Sequence, residues 1–338
     1  MITIKTTEFK NFFSLSAGIK ISALYPALDV VKMDISGDVC TLTKTNMNSY
    51  IRYEFECDTD ECSLLLDDKL IRAFIAQSGD EIVISFTDKK INVKNGTSVI
   101  TFDSRPIDEF PQFPQRSHEP YLFSKEAVEA LKIAKNYVMD AYSLFNCVHV
   151  KNNEIFASNG SYIYTKKIST TLPDVVLSLE ACNVLNEEDY TYYKAENYDF
   201  FKTDNLCFGF IKSEFGTPAY ESILVNGDKS LFFSFQKTDL LKFCGLVNAA
   251  TKEEIPLAKM FPGKLLYDEH SFNTKIDCAF NTSGNEVPVE FKFSTKNISR
   301  FISALPYDTL NFSQAGPHYK IWSSEDENYT GIISGLQL

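Results

Sequence analysis

Two hydrophobic periods alternate along this 338-residue chain. In most of it, short apolar runs skip every second position, the period of a half-buried strand; at six places apolar residues recur every three or four, the period of a helix. The clearest helix is predicted over 67–79, with Asp67 as N-cap, Ile71, Phe74 and Ile75 as the apolar stripe and Gly79 as the stop. Ser294 to Ile302 repeats this plan, with Ile298, Phe301 and Ile302 in register. Ser178 to Leu185 is a fainter copy, aligned through Cys182 and Leu185. The caps at 67, 178 and 294 are 111 and 116 residues apart. A second helix series, predicted from Thr7, Ser124 and Gln236, has starts 117 and 112 residues apart. Two independent landmarks therefore repeat at about a third of the chain.

Strands are predicted in the first third at 29–36, 39–45, 49–57, 81–87, 90–93 and 98–103. The middle third has 144–151, 154–158, 161–168, 174–177, 190–194, 199–202 and 206–212, and the last 264–268, 273–280, 287–293, 309–313, 319–323 and 329–334. Linkers are marked by Phe110-Pro111-Gln112-Phe113-Pro114 and Val225-Asn226-Gly227-Asp228. The expectation is three α+β domains of one plan, 1–115, 116–226 and 227–338. Within the middle one, Asn159-Gly160 joins two apolar runs and predicts a hairpin, because both residues tolerate the positive φ of a type I′ turn.

Composition adds little until charge is placed. The 28 Phe and 17 Tyr suit strands, and the eight cysteines are scattered singly. Cys57 and Cys62 are the closest pair, without the second pair or nearby His that a zinc set requires. No signal-peptide layout and no membrane-spanning run is present, so a cytoplasmic protein without membrane contact is expected. A net charge of −12 argues against a surface coated in nucleic-acid contacts. It leaves room for a local basic lining. Lys296 and Arg300 fall together opposite the apolar stripe of their helix, as do Lys69 and Arg72 on theirs, and Lys125, Lys132 and Lys135 share a face of the helix from Ser124. A charged face is ordinarily a solvated one. If the repeats close into a ring with helices inside, these residues, with Lys10 and Lys237, would line one positive channel suited to the phosphates of duplex DNA.

Catalytic patterns are missing. A phosphate-binding loop ending in Gly263-Lys264 would need Gly where Ala258 stands. His118, His149, His270 and His318 show no metalloprotease spacing, and no nucleophile elbow accompanies them. Neither catalytic residues, a cofactor nor a metal is expected, and the chain reads as a binding protein.

Several motifs in order resemble the bacterial β sliding clamps, the processivity subunits of replicative DNA polymerases. Arg105-Pro106-Ile107-Asp108-Glu109-Phe110-Pro111 is similar to that family's Leu-Pro-x-x-(Asp/Glu)-Phe-Pro linker, and Ala157-Ser158-Asn159-Gly160-Ser161-Tyr162-Ile163 to its Ala-Thr-Asp-Gly-His-Arg-Leu turn. Thr217-Pro218-Ala219-Tyr220 resembles Phe-Pro-Asp-Tyr, and Ile332-Ile333-Ser334-Gly335-Leu336-Gln337-Leu338 the closing Val-Val-Met-Pro-Met-Arg-Leu.

The resemblance implies three tandem domains, each with two helices facing a central channel and antiparallel sheets outside, in a head-to-tail ring of two subunits. It implies as partners double-stranded DNA, a DNA polymerase, an ATP-dependent clamp loader and a second copy of the chain. A pocket for partner peptides is implied between the second and third domains, at Phe145, Ser158, Gly160, Ser161, Tyr162, Ile163, Pro218, Ser222, Ile223, Ile332, Ser334 and Leu336. Ser161 and Tyr162 replace the family's His and Arg, Ser222 an Arg, and Ser334 and Leu336 two methionines, so a more neutral mouth is expected. The subunit contact is implied at the strand 98–102, with Ile100 and Phe102 on one face. The alternative is a monomeric three-domain adaptor that keeps the pocket without ring closure.

Overall fold

The structure, a computed structural model, describes residues 1–19, 28–58, 60–114, 119–139, 144–218, 232–269, 274–284, 290–315 and 318–334. Its element order repeats three times. The first repeat contains β1 (Ile2–Lys5), α1 (Thr6–Leu15), β2 (Val30–Ser36), β3 (Val39–Thr45), β4 (Ser49–Glu56), β5 (Cys62–Asp67), α2 (Asp68–Ala76), β6 (Glu81–Phe86), β7 (Lys90–Asn95) and β8 (Ser98–Asp103). The second contains β9 (Pro120–Phe123), α3 (Lys125–Ala134), β10 (Cys147–Lys151), β11 (Glu154–Ser158), β12 (Tyr162–Lys167), β13 (Val175–Ser178), α4 (Leu179–Val184), β14 (Tyr190–Lys194), β15 (Tyr198–Lys202) and β16 (Leu206–Ile211). The third contains β17 (Phe233–Gln236), α5 (Lys237–Ala250), β18 (Leu257–Phe261), β19 (Lys264–Glu269), β20 (Thr274–Ala279), β21 (Thr282–Gly284), β22 (Phe291–Ser294), α6 (Thr295–Ser303), β23 (Thr309–Ala315), β24 (His318–Trp322) and β25 (Tyr329–Ser334). Each repeat is thus strand, helix and three-stranded meander, twice over, with β21 an added strand in the third.

Local chemistry sets the helix starts. The side chain of Asp67 accepts the Leu70 N–H at 2.8 Å, that of Ser294 the Asn297 N–H at 3.4 Å and that of Ser178 the Ala181 N–H at 3.2 Å, so the three predicted caps are caps. The leading helices start differently: the Thr6 N–H donates to the Asp80 carbonyl and the Lys237 N–H to that of Asp308, both at 2.8 Å. Behind the caps lie the buried stripes, Phe9, Phe12 and Phe13 in α1, Ile71 and Ile75 in α2, Leu240, Phe243 and Val247 in α5, and Ile298, Phe301 and Ile302 in α6. Each such side chain contributes roughly 1.5–3 kcal/mol on burial.

Pairing follows one rule. The first meander of a repeat takes on the strand before the second helix, and the second meander takes on the opening strand, always antiparallel. Meanders of successive repeats then join. β4 pairs with β16, Tyr50 opposite Gly209, and β12 pairs with β25, Ile163 opposite Ile332. The products are an eight-stranded sheet, β5-β2-β3-β4-β16-β15-β14-β9, a nine-stranded sheet, β13-β10-β11-β12-β25-β24-β23-β17-β21, and two four-stranded sheets, β1-β6-β7-β8 and β20-β19-β18-β22. Because both sheets of the middle repeat are extended by a neighbour's, three repeats condense into two compact units. One is Met1–Lys125 with Asn183–Lys212, the other Glu126–Cys182 with Ser213–Leu338. The domain boundaries expected at 115/116 and 226/227 fall on or beside residues outside those described.

Three strands escaped the sequence pattern, the three-residue β21 among them. In β5, Leu64, Leu65 and Leu66 are all buried, so it lacks alternation, and it runs straight into α2 without a turn residue. β18 is five residues long, between Pro256 and Pro262, too short for a period to register. The helix expected from Ser124 to Met139 is shorter, α3 giving way to a 3₁₀ turn at Lys135–Tyr137. Among the described residues no helix is long and apolar enough to cross a membrane.

Candidate functional site

The turn at Asn159-Gly160 is built by a side chain. Only Gly160 has positive φ, at 85°, so the predicted type I′ turn, which needs two such residues, is not formed. Instead the Asn159 Oδ1 accepts the N–H groups of Ser161 at 3.0 Å and Tyr162 at 2.8 Å, and the Asn159 N–H donates to the Tyr162 carbonyl at 3.2 Å. The Ser158 hydroxyl accepts the Gly160 N–H at 3.1 Å. Consecutive positive φ values, 53° and 61°, belong to Asn152 and Asn153, between β10 and β11. Asparagine tolerates that region, and two adjacent asparagines were the unread signal.

The turn carries the start of β12 to β25. Ile163 lies opposite Ile332 and forms a buried cluster with it and Phe156. Tyr162, expected at an open mouth, is 6% exposed, its ring centroid 5.0 Å from that of Phe301. Burial pushes its hydroxyl pKa up. Phe301 in turn meets Tyr137 edge-on at 4.6 Å. Phe145 and Pro218 are half-buried, Gly160 and Ser161 exposed, Ser158 buried. Ser334 is the last residue of β25, and Ser222, Ile223 and Leu336 lie outside the described residues. Phe156 and Phe301, absent from the expected set, supply apolar surface behind the turn; their signal was the apolar run Ile155-Phe156-Ala157 of β11 and the stripe of α6.

The basic residues differ in exposure. Lys10, Lys69 and Arg300 are exposed on α1, α2 and α6, as is Lys125 at the start of α3, with Lys132 and Lys135 half-buried after it. Arg72, Lys237 and Lys296 make close contacts with their own fold. Arg72 lies over the Phe13 ring at 4.4 Å, donates to the Phe13 carbonyl at 3.2 Å and pairs with Asp68 at 3.4 Å. Lys237 donates to the Leu305 carbonyl at 2.8 Å, and Lys296 to the carbonyls of Glu253 and Glu254 at 3.1 and 2.9 Å.

Two strands end their sheets at comparable places. β8 closes the first sheet with Val99 exposed, Ile100 half-buried and Phe102 buried, so Ile100 and Phe102 share a face. β20 ends the sheet of the last repeat, with Thr274, Ile276 and Cys278 half-buried in alternation with exposed residues.

Solved structures with this arrangement exist along the whole chain. The DNA polymerase III subunit beta of Pseudomonas aeruginosa superposes with a TM-score of 0.88 at 14% identity, covering 100% of both chains. The DNA polymerase III beta chain of Streptococcus pneumoniae gives 0.87 at 17% identity over 100% of both, and the DNA polymerase sliding clamp of Bacillus subtilis 0.87 at 15% over 100% of this chain and 99% of its own. The fold is that of a bacterial sliding clamp. No family model matches the chain, and no curated protein matches it in sequence.

Within this clamp fold burial perturbs several titratable groups. Burial pushes the hydroxyls of Tyr137, Tyr164 and Tyr329 up, in a cluster whose members include a stacked Tyr137–Tyr164 pair at 5.2 Å. The thiols of Cys182 and Cys244 are pushed up to about 12, again by burial. Among the described residues no three His, Cys, Asp or Glu side chains are grouped to hold a metal ion, and the cysteines are free.

Proposed function

We propose that the chain is a DNA sliding clamp: two copies close head to tail around duplex DNA and tether a DNA polymerase by its peptide, bound at the Asn159–Ile163 surface. The observation that carries this reading is the edge rule. A first-meander edge pairs with the second-meander edge of the next repeat at β4·β16 and at β12·β25, and continuing the series leaves β20, a first-meander edge, and β8, a second-meander edge, to pair between copies. Each copy offers both, so two copies pair every β8 and β20 edge in C2 symmetry. Ile100 and Phe102 would meet the neighbour's β20. The full-length likeness to proteins described as DNA polymerase III beta subunits and sliding clamps supports the same reading.

Retention on DNA is then topological, and Lys10, Lys69, Arg72, Lys125, Lys132, Lys135, Lys237, Lys296 and Arg300 need supply only a weak lining. That suits a chain of net charge −12 with several of these cations already engaged. An ATP-dependent loader would open the ring. Phe156, Ile163 and Ile332 would seat a peptide's apolar anchors, at roughly 1.5–3 kcal/mol for each one buried. The decisive experiment places the protein on nicked circular DNA and washes at high salt. Retention that disappears when the circle is cut supports the clamp; equal loss before and after cutting refutes it. A solution mass of one chain at high concentration would favour the monomeric adaptor instead.

A further inference from the structure

The turn at Asn159 has a twin. Between β3 and β4, Asn46 Oδ1 accepts the N–H groups of Asn48 at 3.1 Å and Ser49 at 2.7 Å, the Asn46 N–H donates to the Ser49 carbonyl at 3.2 Å, and the Thr45 hydroxyl accepts the Met47 N–H at 2.9 Å. Atom for atom this is the network of Ser158 to Tyr162, with Met47 at φ 72° where Gly160 has 85°. Tyr50 therefore stands where Ile163 stands, each facing the strand that joins its sheet, opposite Gly209 and Ile332 respectively.

The first-repeat surface already has an occupant. The segment after β8, which makes a 3₁₀ turn at Ile107–Glu109, lies across it, Phe110 buried on Val30 and Leu65 with Ile107 packed alongside. Phe113 sits on the aromatic floor, its ring 5.4 Å from that of Tyr50 and 5.4 Å from that of Phe200, with the Arg52 guanidinium 6.0 Å from its centroid. Gly209 makes this floor possible, since a Cβ there would stand 2.5 Å from the Phe200 ring. A cleft of about 660 Å³ remains between segment and sheet, lined by Asp108 from the segment and by Lys32, Asp34 and Arg52 from the sheet, Lys32 and Asp34 being paired at 3.0 Å. Apolar anchors at every third residue of a short segment laid across a sheet, with an acid beside the first, form the pattern of a linear peptide motif.

We infer that residues 107–113 are a tethered linear motif occupying the first repeat's copy of the docking surface, and that this surface takes a free peptide of the pattern Ile-Asp-x-Phe-x-x-Phe once the tether is released. The comparison rests on reading Asn159–Ile163 as a docking surface, but not on ring closure or DNA.

The test uses the full chain and a fluorescent peptide of residues 104–115, without DNA, in an Ile163→Ala background that weakens the second surface. Adding Phe113→Ala should create saturable binding of one peptide per chain, at least tenfold tighter than the background, and Tyr50→Ala should abolish it. Equal binding by the background, or none after Phe113→Ala, overturns the inference. Phe113 is half-exposed, so its loss should spare the fold. Should that variant fail to fold, amide exchange on the unmodified chain decides: residues 107–113 should exchange faster than β4 and β16, and equal protection overturns the tether. Because retention on circular DNA reads a different property, failure of the clamp reading is distinguishable from failure of this one.

Discussion

Met47 and Gly160, in different repeats, occupy one position of one turn, with φ of 72° and 85°. Glycine adopts this left-handed conformation freely, whereas a side chain held there costs on the order of 1–3 kcal/mol. Met47→Gly is therefore expected to raise stability by up to about 1 kcal/mol, and Gly160→Met to lower it by about 1 kcal/mol. No atom lies within 4 Å of a Cβ built on Gly160, so the loss would be backbone strain and not a clash. Urea unfolding of both variants checks the pair; effects of the same sign would contradict the equivalence.

Closure through β8 and β20 predicts that charge on either edge separates the copies. Ile100→Asp and Ile276→Asp should each halve the mass seen by light scattering while leaving the melting temperature of the separated chain within a few degrees of its parent. An unchanged mass would place the contact elsewhere.

Lys44 and Asp68 form a buried ion pair at 2.9 Å, their side chains 3% and 6% exposed. Removing Lys44 leaves the buried Asp68 carboxylate only the longer pair with Arg72 at 3.4 Å, so Lys44→Met should cost about 1–3 kcal/mol. Lys44→Met with Asp68→Asn should recover part of that, read by denaturant midpoint.

Asp199 is buried, accepts a hydrogen bond from Tyr192 at 2.5 Å, and has its pKa raised by burial, against the lowering effect of that bond. A raised folded pKa means stability present below the unfolded value, near 4, and lost as pH rises through the folded one. Asp199→Asn should accordingly gain stability relative to its parent as pH rises above about 4, the gap levelling off once the parent's carboxyl has ionised. Urea midpoints across that range read the slope; a gap independent of pH would show that Asp199 does not titrate abnormally.

Asp326 should behave oppositely. Burial pushes its carboxyl up, but hydrogen bonds from Lys166 at 2.8 Å and Tyr307 at 2.6 Å outweigh it and leave the pKa below the ordinary value. Stability from this group is present above the unfolded pKa near 4 and is lost as pH falls through the folded one. Asp326→Asn should cost about 1–3 kcal/mol at pH 7, and the deficit should shrink in acid.

Repeats, caps and most strands were legible because they are local: Asp67, Ser178 and Ser294 reach N–H groups three residues away, and alternation is a property of neighbours. The Asn159 turn was legible as a turn but not in its type, since its asparagine works through a side-chain carbonyl and leaves positive φ to Gly160 alone. What the sequence by itself determined was a triplicated α+β chain, a hairpin at Asn159 and a repeated set of helix-borne cations. The tertiary structure alone decided that Tyr162 lies buried on Phe301, that Arg72 folds back onto Phe13, that β4 takes β16 and β12 takes β25, and that Phe113 seats on Tyr50. Those outcomes depend on partners far apart in the chain, β4 and β16 by about 150 residues and Tyr162 and Phe301 by 139. Hydrophobic period reports which face of a strand is buried; it carries no information about which edge that strand will meet.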